Sequence, residues 1–364
     1  MSKSINTKVS VTVSELPQLI QTAALAGRSL MIHGSPGLGK SFATHEAAKQ
    51  MAHGKRVVQL GECTNPDEQF GLFDVRLSQC DPVDVGGLPY ADKELGVQRR
   101  LVSDWFPSTE RTDIPDHGML LLEEVVSAPP AVQAAAYQLT LDRRIGDKRM
   151  KDGWCVVLTG NLMTDGGVVH KMPTPLANRL IHVYVRSDND SWTQWAIDND
   201  IEPVLIGFIR FRPELLNTFE QHVEKKSKDH AFATERAWHA VNDLLKADPG
   251  AHPALLAGTV GNGPATEFAA FRDIWQKMPS IDGILMSPGS TAVPEDTAVR
   301  YAVCTALGSR VTGDNFDLIV EYVERMPAEF TMMTIKDCIN RKGGEISCTK
   351  AFVQVTTKYA DYLK

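Results

Sequence analysis

The chain has 364 residues, 43% of them hydrophobic and 23% charged. At about 150 residues per domain that length suits two or three units, and the composition excludes disordered and fibrous proteins. Lys and Arg total 38 against 45 Asp and Glu, a net charge of −7, so no bulk positive field draws in nucleic acid or an anionic membrane.

The first predicted element is a helix opened by Ser14 and Glu15, with Leu16, Leu19, Ile20, Ala23 and Ala24 at helical spacing and Ala26-Gly27 as its end. Leu30, Met31 and Ile32 then read as a short buried strand, followed by a Gly-rich turn at 34–39, a helix over 41–52 and a strand over 56–60. Strand, helix, strand in that order implies a parallel crossover. Residues 61–117 read as an insertion, because Pro66, Pro82, Gly86, Gly87, Pro89, Pro107 and Pro115 break every candidate element. Three further apolar bursts, at 119–122, 155–158 and 181–185, have the length of buried parallel strands. Five strands in all predict an α/β fold: a three-layer domain with a parallel sheet.

From about residue 187 the pattern turns helical, at 192–199, 234–246 and 264–278, and a Pro/Gly/Ser-containing break over 279–294 precedes a last helical region. The expected domains are therefore an α/β domain over 1–186, a helical domain over 187–284 and a C-terminal helical extension over 285–364. The six cysteines contain no Cys-x-x-Cys pair, which disfavours a disulfide framework and a structural zinc site. No run approaches the roughly 18 apolar residues of a membrane span, and MSKSINTKVSVTVSE lacks the apolar block of a signal peptide. The expected compartment is the cytoplasm.

The segment Gly34-Ser35-Pro36-Gly37-Leu38-Gly39-Lys40-Ser41 fits G-x-x-x-x-G-K-[ST] and lies between a predicted strand and a predicted helix. Its glycines let backbone N–H groups turn toward phosphate oxygens, Lys40 reaches the β and γ phosphates, and Ser41 ligates Mg²⁺. His33 and His45 flank the loop and read as packing or surface residues. A metal-phosphate site also needs a carboxylate on the metal side and a second to orient or deprotonate water. The run Met119-Leu120-Leu121-Leu122-Glu123-Glu124 supplies both, with Glu123 as the metal-side acid and Glu124 as the base.

The run from Glu123 through Val125, Ser127, Pro129 and Pro130 to Gln133, then 141–147, resembles the MoxR-type AAA+ ATPases and their CbbQ relatives. The resemblance continues through Thr159-Gly160-Asn161, Pro175-Leu176-Ala177-Asn178-Arg179-Leu180 and Ala233-Thr234-Glu235-Arg236, covering about residues 20–280. It implies an AAA+ core with a helical lid, ATP and Mg²⁺ as cofactors, and a ring oligomer, expected to be a hexamer, that remodels or activates a protein client. A partner with a von Willebrand factor A domain is implied in the same way. By the same resemblance Asn161 is the polar sensor, Arg179 the arginine presented to a neighbouring subunit's site, and Arg236 the sensor arginine of the lid. Arg143 and Arg144 remain open between a site role and a solvated hairpin. The insertion at 77–89 is a candidate pore-facing, client-contacting element or a surface loop; Asp81 and Asp84 lack a calcium loop.

The family usually has Asp where this chain has Glu123, which leaves turnover open. Two alternatives therefore stand beside the remodelling ATPase. One is a nucleotide-gated scaffold with little hydrolysis. The other is a nucleic-acid motor, against which net acidity and sparse basic pairs such as Arg99-Arg100 argue.

Overall fold

The computed structural model describes residues 10–165, 169–225 and 229–359, and the chain divides into two compact units, Met1–Ser187 and Asp188–Lys364. In the first, the elements are β1 (Ser10–Val11), α1 (Leu16–Leu25), β2 (Leu30–His33), α2 (Lys40–Met51), β3 (Arg56–Val58), β4 (Gln69–Arg76), α3 (Pro82–Gly86), β5 (Leu88–Asp92) and β6 (Val97–Leu101). They continue with β7 (His117–Glu123), α4 (Pro130–Asp142), β8 (Arg144–Ile145), β9 (Lys148–Arg149), β10 (Gly153–Gly160), α5 (Thr174–Ala177) and β11 (Ile181–Val185). Seven strands form one parallel sheet in the order β1-β11-β2-β10-β7-β4-β3.

Period-two alternation divides the apolar strands between two cores. Met119 and Leu121 of β7 pack with Leu16 and Ile20 of α1 and Ala43 and Ala47 of α2, while Leu120 and Leu122 face Val132, Ala136 and Leu139 of α4. Helices therefore cover both faces, giving the three-layer α/β P-loop core expected from the short apolar strands and the Gly-rich turn.

The sheet exceeds the five expected strands. β1 is two residues long, too short to register as a pattern. β4 lies inside the stretch read as an insertion, so only the remainder of 61–117, including the β5-β6 hairpin, stands outside the sheet. Gly71 and Asp74 disguise β4 locally, since both residue types are depleted in strands. The glycine is required: a Cβ there would lie 2.4 Å from Cη2 of Trp154, whose ring crosses β4 and β7.

In the second unit every regular element among the described residues is helical: α6 (Asn189–Asp198), α7 (Pro203–Phe211), α8 (Phe219–Glu224), α9 (Glu235–Ala247), α10 (Pro253–Val260) and α11 (Asn262–Lys277), then α12 (Ile281–Met286), α13 (Thr297–Ser309), α14 (Phe316–Val323), α15 (Ala328–Ile346) and α16 (Lys350–Lys358). Several start where a polar side chain accepts a bond from the first turn, as Asp188, Thr234, Asp296 and Thr349 do. One core gathers Phe208, Trp238, Phe268 and Ala302; a second gathers Val303, Leu307, Phe316 and Tyr322. Helix α13 contributes to both, so residues after 285 pack as part of one unit with the preceding helices. Among the described residues no helix is long and apolar enough to cross a membrane.

Candidate phosphate and metal site

Strand β2 delivers the chain to Gly34, and α2 begins at Lys40, so the loop occupies the strand-to-helix turn that its sequence requires. Gly37 and Gly39 both have φ of +84°, a backbone that side chains with a Cβ rarely adopt. Lys40 folds back over the loop: its Nζ donates to Gly34 O at 2.6 Å, Ser35 O at 2.8 Å and Asn161 Oδ1 at 3.3 Å. Asn161 reaches this position from the end of β10, beside β2 in the sheet.

Helix α2 places Ser41 opposite the end of β7, where its hydroxyl donates to Glu123 Oε1. Glu123 is only 8% exposed, and its other oxygen faces Arg76 of the adjacent β4, with Nε to Oε2 at 3.8 Å. Glu124 then leaves the strand with φ 57° and ψ 33°, and its Oε2 accepts from the Ser78 hydroxyl. A glutamate at positive φ is uncommon and marks a locally constrained turn. The two adjacent carboxylates thus take different partners, one toward α2 and the other toward the segment after β4.

Nearby Asp74 is pushed up to about 6, first by partial desolvation and then by Glu123, against the pull of Arg76. Asp165 accepts from Ser35 Oγ at 3.1 Å and from Leu162 N at 2.8 Å; burial raises its carboxyl while these bonds and Lys40 oppose the rise. No sequence pattern marks Arg76 or Asp165, and Ser78 stands out only as part of the 77–89 insertion, because strand register and loop path alone bring the three to the site.

The other predicted residues lie apart from this network or outside the first unit. Arg179 sits in the turn after α5, its guanidinium 5.7 Å from the centroid of the Tyr137 ring. Arg236 belongs to the second unit, in the first turn of α9, which Thr234 caps through a 3.1 Å bond from Ala237 N. Arg143 is structural: at φ 53° it ends α4 and donates to the carbonyls of Lys151 and Trp154. Arg144 pairs with Arg149 in the short β8-β9 hairpin. In the 77–89 segment Asp81 caps α3 and Asp84 completes the capping box by accepting from Asp81 N at 2.7 Å, and Leu88, Leu95, Val97 and Leu101 of the following hairpin are exposed.

Among the described residues, no three His, Cys, Asp or Glu side chains group to hold a metal. The fit of Ser41 and Glu123 to a divalent cation rests on donor chemistry: a hydroxyl and a buried carboxylate, already oriented on one another, supply the hard oxygen atoms that Mg²⁺ takes alongside phosphate oxygens and water.

No protein-family model and no curated protein matches the chain. Among solved structures, NtrX from Brucella abortus in complex with ATP is similar at 16% identity, over 97% of this chain and 68% of that chain, with a TM-score of 0.36. The replication initiator DnaA bound to AMPPCP and single-stranded DNA is similar at 13% identity, over 99% of this chain and 97% of that one, with a TM-score of 0.33. Similarity at this level assigns neither a reaction nor a partner.

Proposed function

We propose that the chain is a Mg²⁺-dependent ATPase of the AAA+ class, in its MoxR-type branch, acting in the cytoplasm as a ring oligomer, a hexamer in this reading, that remodels or activates a protein client. The observation that carries this reading is the single network joining Lys40, the loop carbonyls and Asn161, with Ser41 and Glu123 bonded beside it.

Loop N–H groups and the start of α2 would bind the phosphates, and Lys40 would exchange its loop carbonyls for β and γ phosphate oxygens. Ser41 and Glu123 would hold Mg²⁺, which neutralises phosphate charge when bound. Glu124 takes the proton of the attacking water as its oxygen bonds to the γ-phosphorus. The bond from that phosphorus to the bridging oxygen breaks, and ADP leaves. Asn161, a neutral amide, orients the water without repelling phosphate. Arg179 would enter the site of a neighbouring copy, where an arginine contributes about 10³–10⁵ in rate. Arg236, on a helical lid over 187–284, would report nucleotide state. The 77–89 segment is the client-contacting element in this reading, and a protein with a von Willebrand factor A domain is the partner class.

Steady-state phosphate release from ATP and Mg²⁺, measured across protein concentration for wild type and Glu124→Gln, tests the proposal. Specific activity should rise with concentration and collapse in the variant, and Lys40→Ala should lose nucleotide binding. Retention of both binding and turnover in Lys40→Ala would overturn the reading. A scaffold that binds ATP without hydrolysing it is the second reading, favoured by the longer Glu123 lying directly against Ser41; Glu124-dependent release excludes it.

A further inference from the structure

Two backbone bonds close the turn that carries Arg179: Arg179 N donates to Leu176 O at 3.0 Å, and the second ends on Ala177 O. Ala177 O accepts from Leu180 N at 3.3 Å, a long bond, and from His182 Nε2 at 2.8 Å. A carbonyl only accepts, so Nε2 of His182 bears the proton; in the neutral ring Nδ1 is then an acceptor. That nitrogen lies 2.8 Å from Nε2 of His33, which donates to it. His33 is the last residue of β2, directly before Gly34, the first residue of the phosphate loop.

Register explains the meeting. Tyr184 of β11 pairs with His33 of β2, and residues two apart on a strand share a face, so His182 and Tyr184 both lie beside His33. His33 and His182 meet edge to edge through that bond, centroids 5.1 Å apart, while His33 and Tyr184 stack at 4.8 Å. Two bonds at opposite ends of the His182 ring fix its plane. The chain of contacts runs from the base of the phosphate loop through two imidazoles to the carbonyl that shapes the Arg179 turn.

We infer that His182, held by His33, is a positioning residue for Arg179, setting the turn that presents its guanidinium. This inference rests on the proposed role of Arg179 and adds a physical link between a subunit's own phosphate loop and the arginine it offers to the next. His182 is exposed, so water partly replaces its bonds when it is removed, and the effect expected is about tenfold rather than the full value of the arginine.

The experiment compares kcat, KM and nucleotide affinity for full-length wild type, His182→Ala, His182→Gln, Arg179→Ala and the double variant Arg179→Ala/His182→Ala, each checked for an unchanged thermal midpoint. His182→Ala should lower kcat about tenfold while KM and nucleotide affinity stay within about twofold. His182→Gln keeps an N–H within reach of Ala177 O and should recover most of the loss. The double variant should turn over no more slowly than Arg179→Ala, because the histidine acts only through the arginine. Wild-type turnover in His182→Ala beside a slow Arg179→Ala overturns this inference alone, as does a further tenfold loss in the double variant. Wild-type turnover in Arg179→Ala removes the arginine role and this inference with it.

Discussion

The hydroxyl of Ser78, just beyond β4, donates to the carboxylate of Glu124, just beyond β7. The two are neighbouring inner strands in register, so the bond forms at the C-terminal end of the sheet. It fixes the proposed base at a residue whose left-handed backbone already turns it out of the strand. Ser78→Ala should therefore lower kcat three- to tenfold, a typical effect for one bond on a positioned base, with nucleotide affinity within about twofold. Phosphate release at saturating ATP measures it. A rise in kcat would mean that the bond holds the base in a resting position.

The Trp154 ring lies in a trench made by missing side chains. A Cβ on Gly118 would fall 2.7 Å from both the Trp154 ring and the Gly71 carbonyl oxygen, and one on Gly71 would fall 2.4 Å from the ring. The indole is tied down by its 2.9 Å bond from Nε1 to Pro115 O, so it cannot swing aside. Gly118→Ala should cost about 2–3 kcal/mol, the upper range for overpacking a closed core. A lowered urea midpoint, read by near-ultraviolet circular dichroism, is the expected result; an unchanged midpoint would show that the trench can widen.

The same trench explains which parts of the fold were legible. The phosphate loop and the Glu123-Glu124 pair show in the sequence because their chemistry demands fixed local spacing. β4 does not, because the reason for Gly71 is a tryptophan on another strand. The site roles of Ser78, Asp165 and His182 were likewise invisible: each residue acquires its partner through strand register or loop closure, which no local pattern encodes. The odd local choices, a glycine inside β4 and a histidine at the end of β2, mark the places where tertiary contacts overrule propensity.

In the second unit, Arg210 of α7 and Asp337 of α15 form a two-pronged pair, with both N to O distances 2.5 Å and side chains 12% and 4% exposed. Removing one partner strands a buried charge, so Asp337→Ala should destabilise the unit by about 3–5 kcal/mol. Replacing both, as Arg210→Met with Asp337→Leu, should recover at least half of that loss. Chemical denaturation of the two variants distinguishes a buried pair from a surface one, for which both losses would stay below about 1 kcal/mol.

The cysteines differ in environment and should differ in reactivity. Burial pushes the thiols of Cys155 and Cys304 up to about 12 and raises that of Cys338, and Cys304 lies 3.5 Å from the Met326 sulfur. Cys63 and Cys80 are raised mainly by desolvation, whereas Cys348 is exposed. The thiolate is the nucleophile, so iodoacetamide at pH 8 should label Cys348 first and reach Cys155, Cys304 and Cys338 only after unfolding. Linkage gives a second consequence. Above the ordinary thiol value of 9.0 the unfolded chain loses these protons while the folded one keeps them, so their contribution to stability falls between pH 9 and about 12. Peptide mapping of briefly alkylated native protein checks the order; labelling of Cys304 as fast as Cys348 would show that the core around α13 opens readily.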